Sequence, residues 1–145
     1  MSELNSNLYK GMKRWTAFYR KNPHKFAKDY LGVNLFLYQT ILLWAMNKYS
    51  FFMYIAARGQ GKSYLIAIYC VIRAILYPNS QIIIASGTKG QSRLIITQKI
   101  MTMYNNSPNF RREVSELKLG ANETYVRFKN GSKIEAVVSN DNSRG

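Results

Sequence analysis

An α/β fold with a mostly parallel sheet is predicted for this sequence by three observations. Residues 51–57 form a continuous apolar run of strand length, followed by Arg58-Gly59-Gln60-Gly61-Lys62-Ser63 and a helix-periodic stretch over 64–77. A second apolar run over 81–86 and a second helical stretch over 91–104 repeat that order. Finally, short runs over 125–128 and 134–138 flank Lys129-Asn130-Gly131-Ser132, whose Asn-Gly pair signals a hairpin turn. Strand, helix, strand, helix and hairpin together describe an α/β sheet.

The elements follow from local chemistry. Residues 8–19 are amphipathic, with Trp15, Phe18 and Tyr19 on one face. Asn22-Pro23 offers a cap and a first helical position, Phe26, Ala27, Tyr30 and Leu31 form an apolar stripe, and Gly32 stands where that helix stops. A short helix after Gln39 carries Ile41, Leu42, Ala45 and Met46. The unbroken apolarity of 51–57 predicts a parallel strand buried on both faces. Leu65, Ile68, Tyr69, Ile72, Ile75 and Leu76 then recur at helical spacing, with Ala67, Cys70 and Ala74 on the other face, so this helix is expected to be largely buried. Pro78-Asn79-Ser80 ends it, 81–86 reads as a second buried strand, and Asn105-Asn106-Ser107-Pro108 ends the second helix.

Composition narrows the function. Of 145 residues, 47% are hydrophobic, enough for a core. Lys and Arg number 21 against 7 Asp and Glu, a formal charge of +14 that points to a polyanionic partner, nucleic acid first. Lys10, Lys13, Arg14, Arg20, Lys21, Lys25 and Lys28 crowd the start of the chain among aromatic residues, most of which helical spacing assigns to packing. One cysteine, Cys70, and one histidine, His24, exclude a disulfide framework and a Cys/His metal cluster. No signal peptide is legible, and the most apolar helix is too short for a bilayer and carries Arg73. A soluble, intracellular protein with no membrane partner is expected.

The segment richest in chemistry is Ala56 to Ser63. A glycine-containing loop between a strand and a helix is the arrangement that binds phosphate, because the first N–H groups of the helix lack intrahelical partners. Gly59 and Gly61 permit positive φ and close approach to an anion. Lys62 supplies a mobile charge toward the β- and γ-phosphates, and the Ser63 hydroxyl a ligand for Mg²⁺. The usual pattern begins with glycine where this chain has Ala56.

With Asn22-Pro23, Tyr30-Leu31-Gly32, Leu37-Tyr38-Gln39, the loop, and Ser143-Arg144-Gly145 in this order, the chain resembles the N-terminal ATPase domain of bacteriophage terminase large subunits. That resemblance implies a P-loop NTPase of the RecA-like (ASCE) type, with an N-terminal helical extension over 1–33 and a partial ATPase domain over 34–145. It also makes a non-glycine residue at the first loop position an ordinary variant. It assigns ATP and Mg²⁺ as cofactors and Gln39, Arg58, Gly59, Gln60, Gly61, Lys62 and Ser63 as ATP-binding, with Gln39 on the adenine edge and Tyr38 or Phe36 packed beside it. Arg58 is assigned to the γ-phosphate, and Arg144 to a neighbouring subunit's ATP as a finger supplied in trans. The implied partners are double-stranded DNA, a portal protein, a small terminase subunit and further copies in a ring, in the host cytoplasm. A helicase-like ATPase, which shares the upstream glutamine and the loop, is a second reading; a truncated, non-catalytic nucleotide- or DNA-binding product is a third.

An ATPase of this type needs a second strand ending in acidic residues. There is none between Asp29 and Glu113, Glu135 falls within a strand, and Asp141 follows Ser139-Asn140. The expectation is therefore a chain that stops inside its domain, binding nucleotide without hydrolysing it unaided.

Overall fold

The computed structural model describes residues 3–138 as an α/β protein. Arg144 and Asp141, with Ser143 and Gly145, lie outside the described residues. In chain order the elements are α1 (Glu3–Lys21), α2 (Pro23–Asp29), α3 (Leu37–Lys48), α4 (Lys62–Leu76), β1 (Gln81–Ser86), α5 (Lys89–Leu94), a π-helical segment (Ile95–Ile100), α6 (Met101–Asn106), α7 (Pro108–Glu113), β2 (Val114–Leu119), β3 (Thr124–Phe128) and β4 (Lys133–Val138). No helix among the described residues is long and apolar enough to cross a membrane.

The helix after the loop is the axis of the core. Leu65, Ala67, Ile68, Val71, Ile72 and Ala74 of α4 are all but inaccessible, so it is buried on nearly every side, as its composition requires. Phe26 and Leu31 from the N-terminal helices and Leu43 from α3 join the same cluster, together with Ile96, Ile100, Phe110, Val126 and Ile134. Each such side chain contributes roughly 1.5–3 kcal/mol by leaving water.

Both ends of α4 matter, and they differ. At the C-terminal end every orphan carbonyl has a donor. Arg73 O accepts from Tyr77 N at 3.1 Å, and Asn130 Nδ2 donates to Ala74 O (2.8 Å) and Ile75 O (3.1 Å). Arg20 donates to Leu76 O from Nε (2.9 Å) and from a terminal guanidinium nitrogen (2.6 Å). α1 and the β3–β4 turn thus jointly hold one end of α4, leaving the other facing the glycine loop.

The sheet has the order β1-β4-β3-β2. Only β1 and β4 are parallel, in register Ile82 to Ile134, whereas β4–β3 and β3–β2 are antiparallel. The expected mostly parallel sheet is therefore corrected to a mixed one, because the hairpin supplies its interior instead of hanging beside it. Its turn forms as the Asn-Gly pair predicts: Gly131 takes φ +85° and donates to Phe128 O at 3.1 Å. Residues 108–119 add α7 and strand β2, which periodicity did not reveal.

Two strand expectations need correction. Residues 51–57 pair with no strand; Phe51, Met53 and Ile55 are 96%, 85% and 86% exposed. A parallel strand obtains its backbone bonds only from neighbours, and none runs beside this segment among the described residues. β1 is not buried on both faces either: it is the sheet's edge, with Ile84 buried and Ile83 65% exposed.

The predicted second helix is real but irregular. A π-helical segment separates α5 from α6, and the hydroxyls of Thr97 and Thr102 donate to the carbonyls of Arg93 (3.0 Å) and Gln98 (2.6 Å), four residues back. Such back-bonding competes with the helical ladder and bends it.

Candidate phosphate-binding site

The loop is built for close approach of an anion. Gly59 takes φ +81°, and Gly61, the residue that caps α4, takes φ +68° and ψ +20°. Both are left-handed conformations that side chains rarely adopt. The first helical bond is Leu65 N to Gly61 O at 2.9 Å. The N–H groups of Lys62, Ser63 and Tyr64 consequently have no backbone acceptor among the described residues, and no side chain caps them. Their partial positive charge is the helix dipole's.

Lys62 is folded back on its own loop. Its Nζ donates to Ala57 O at 2.8 Å and also to Ala56 O. Two carbonyl oxygens thus occupy the ammonium in the place where phosphate oxygens would. Ser63 is exposed at the second helical position.

α3 is joined to this loop at its start. Gln39 stands at the third position of α3, 5% exposed, and its Oε1 accepts from Phe36 N at 3.0 Å. Its Nε2 faces the loop: a Cβ on Gly61 would lie 3.2 Å from it. Beside it Tyr38 Oη donates to Gln60 O at 3.4 Å. Phe36 and Tyr38 lie nearly parallel, 6.0 Å between ring centroids, with Phe36 70% exposed. The upstream Tyr-Gln pair and the loop, some twenty residues apart in sequence, therefore meet in space.

Residues Ala57, Arg58, Gly59, Gln60, Gly61, Lys62, Ser63, Tyr64 and Lys99 line a cleft of about 400 Å³. Arg58, Lys62 and Lys99 bring three cations, and no carboxylate lines it among the described residues. Five acids are engaged elsewhere: Asp29 by Tyr19, Glu113 by Tyr30, Glu116 by Tyr125 and Arg127, Glu123 by Lys118, and Glu135 by Lys133. Glu135 sits mid-strand opposite Ile83, not at the cleft.

No family model and no curated protein matches the chain.

Free N–H groups, left-handed glycines and an ammonium fit a chain of phosphates. For Mg²⁺ the cleft offers the Ser63 hydroxyl, a hard oxygen donor; no group of three or more His, Cys, Asp or Glu that could hold a metal ion occurs among the described residues. The glycine loop was legible in the sequence, and Gln39 was singled out only through the family resemblance. Lys99 was not legible, since it reaches the cleft from a segment whose helical phase a π turn shifts.

Proposed function

We propose that this chain is the ATP-binding part of a phage DNA-packaging motor of the terminase large-subunit type. The observation that carries the reading is the placement of the buried Gln39 amide against the loop, where a Cβ added to Gly61 would lie 3.2 Å from its Nε2. An amide held beside a phosphate loop offers a donor and an acceptor to a base edge, and adenine presents the complement. In this reading Lys62 exchanges its two loop carbonyls for phosphate oxygens, and the N–H groups of Lys62, Ser63 and Tyr64 complete the cradle. Arg58, exposed on the loop, contacts the γ-phosphate. Bound Mg²⁺ would neutralise phosphate charge, with Ser63 Oγ holding it on the protein side.

In this reading, binding and hydrolysis of ATP drive translocation of double-stranded DNA. Arg144 is then offered to the ATP of the next subunit in a ring, with a portal protein and a small terminase subunit as partners and the host cytoplasm as the setting. The excess of basic residues suits contact with DNA phosphates irrespective of sequence.

Titration with fluorescent analogues of ATP and GTP tests the nucleotide part. Lys62→Ala should abolish binding. Gln39→Ala should erode the preference for ATP over GTP more than it weakens binding of either. Undiminished binding of the ATP analogue by Lys62→Ala would overturn the assignment.

A further inference from the structure

The π-helical segment Ile95–Ile100 packs against α4 with Ile96 and Ile100 fully buried, which fixes where Lys99 stands. Lys99 lines the same cleft as the glycine loop and is itself half-buried. Its ammonium makes no hydrogen bond or ion pair with another described residue. Lys62, by contrast, is held by two carbonyls. With no partner among the described residues, the Lys99 ammonium is open to an anion in the cleft, with which it would form a charge-assisted contact.

A second unpaired group faces the same loop. Gln39 is 5% exposed, and while its Oε1 is bonded to Phe36 N, its Nε2 donates to no described residue. π turns within helices frequently occur at functional sites, and this one carries its lysine to a cleft that already holds Arg58 and Lys62, with no carboxylate among the described residues that line it.

The geometry points to Lys99 as a third phosphate-binding cation of this cleft, contacting the same polyphosphate chain as Lys62. The inference rests on the nucleotide reading for the identity of the ligand. Its own content is narrower: the cleft binds a linear polyphosphate, and Lys99 supplies part of the charge. A lysine acts here as a point charge, so arginine should substitute for it where a neutral residue does not.

The test measures binding of a fluorescent ATP analogue, with inorganic tripolyphosphate as competitor, for the full chain and four variants whose folding is verified by thermal melting. Lys99→Gln should raise both dissociation constants about tenfold, the loss of one charge-assisted contact. Lys99→Arg should stay close to wild type, and so should Lys129→Gln, which removes an exposed hairpin charge far along the chain. Lys62→Ala should bind neither ligand. If Lys99→Gln binds like wild type while Lys62→Ala fails, the role of Lys99 is refuted and the loop assignment stands. Tripolyphosphate binding that depends on Lys99, without any nucleotide binding, would support Lys99 and overturn the nucleotide reading. Absence of binding of both ligands by the folded wild type would overturn both. An equal loss in Lys99→Arg and Lys99→Gln would show that charge is not what Lys99 contributes, and would refute the proposal as well.

Discussion

Gln39 packs on Gly61 so closely that a methyl group added to the glycine would stand 3.2 Å from the glutamine's amide nitrogen. Two restraints therefore act on position 61: the left-handed φ of +68° and the neighbouring amide. Gly59, at φ +81°, carries only the first, since nothing lies within 4 Å of an added Cβ.

Gly61→Ala should accordingly cost more than Gly59→Ala. The left-handed conformation alone costs an alanine about 1–2 kcal/mol, or roughly 2–8 °C in melting temperature for a chain of this size. The surplus at position 61 should shrink when Gln39 is also replaced by alanine, which a double-mutant cycle by chemical denaturation measures. Equal costs at the two glycines in both backgrounds would show that the Gln39 contact contributes nothing.

Arg20 joins the first helix to the last turn of α4 by two bonds to one carbonyl, at 2.9 and 2.6 Å, and lies 4.5 Å over the Tyr77 ring. Arg20→Ala leaves the Leu76 carbonyl without this donor and should destabilise the fold by about 1.5–3 kcal/mol, the usual worth of a bond to a charged group. Arg20→Lys should recover only part of this, because an ammonium cannot reproduce the fork. Limited proteolysis should then cut within α1 earlier in Arg20→Ala than in wild type. An unchanged cleavage pattern and unfolding midpoint would show that α1 docks without this residue.

Tyr30 gives the fold an alkaline limit. Its hydroxyl donates to Glu113 Oε1 at 2.5 Å, and burial first, then that bond to a carboxylate, pushes the phenol from 10.0 up to about 12. Because the folded value lies above the unfolded one, the contribution is fully present below pH 10 and is lost as the pH rises toward about 12. Wild type should therefore lose stability more steeply than Tyr30→Phe across that window, as measured by urea denaturation. Parallel profiles would remove Tyr30 from the explanation.

Cys70 reports on the packing of α4. Its thiol is 6% exposed and burial pushes it up to about 12. The thiolate is the reactive form, so Ellman's reagent near neutral pH should leave the folded protein unmodified and react fully in denaturant. Equal rates in the two conditions would contradict the burial of α4.

What was legible in the sequence is what nearby residues decide. The glycine loop, helix α4, the Pro23 start of α2 and the turn at Gly131 all depend on contacts within about one turn of chain, and they appear where periodicity and turn chemistry put them. Strand β2 escaped because Val114, Leu117 and Leu119 are interrupted by Ser115, Glu116 and Lys118, and the pairing with β3 is irregular at Val114 and Glu116. The run at 51–57 misled for the opposite reason: its composition suits a buried strand, but burial needs neighbouring strands.

The sequence by itself determined that a helix follows two glycines and Lys62-Ser63, and with it a row of N–H groups, unpaired among the described residues, suited to phosphate. Tertiary structure alone decided which groups surround that row: Gln39 and Tyr38 from α3 and Lys99 from the π-helical segment. It also decided that Arg20 and Asn130 would close the far end of the same helix. The physical reason is range. Backbone conformation and capping are settled over a few residues, whereas side chains distant in sequence meet only where burial of apolar surface brings their elements together.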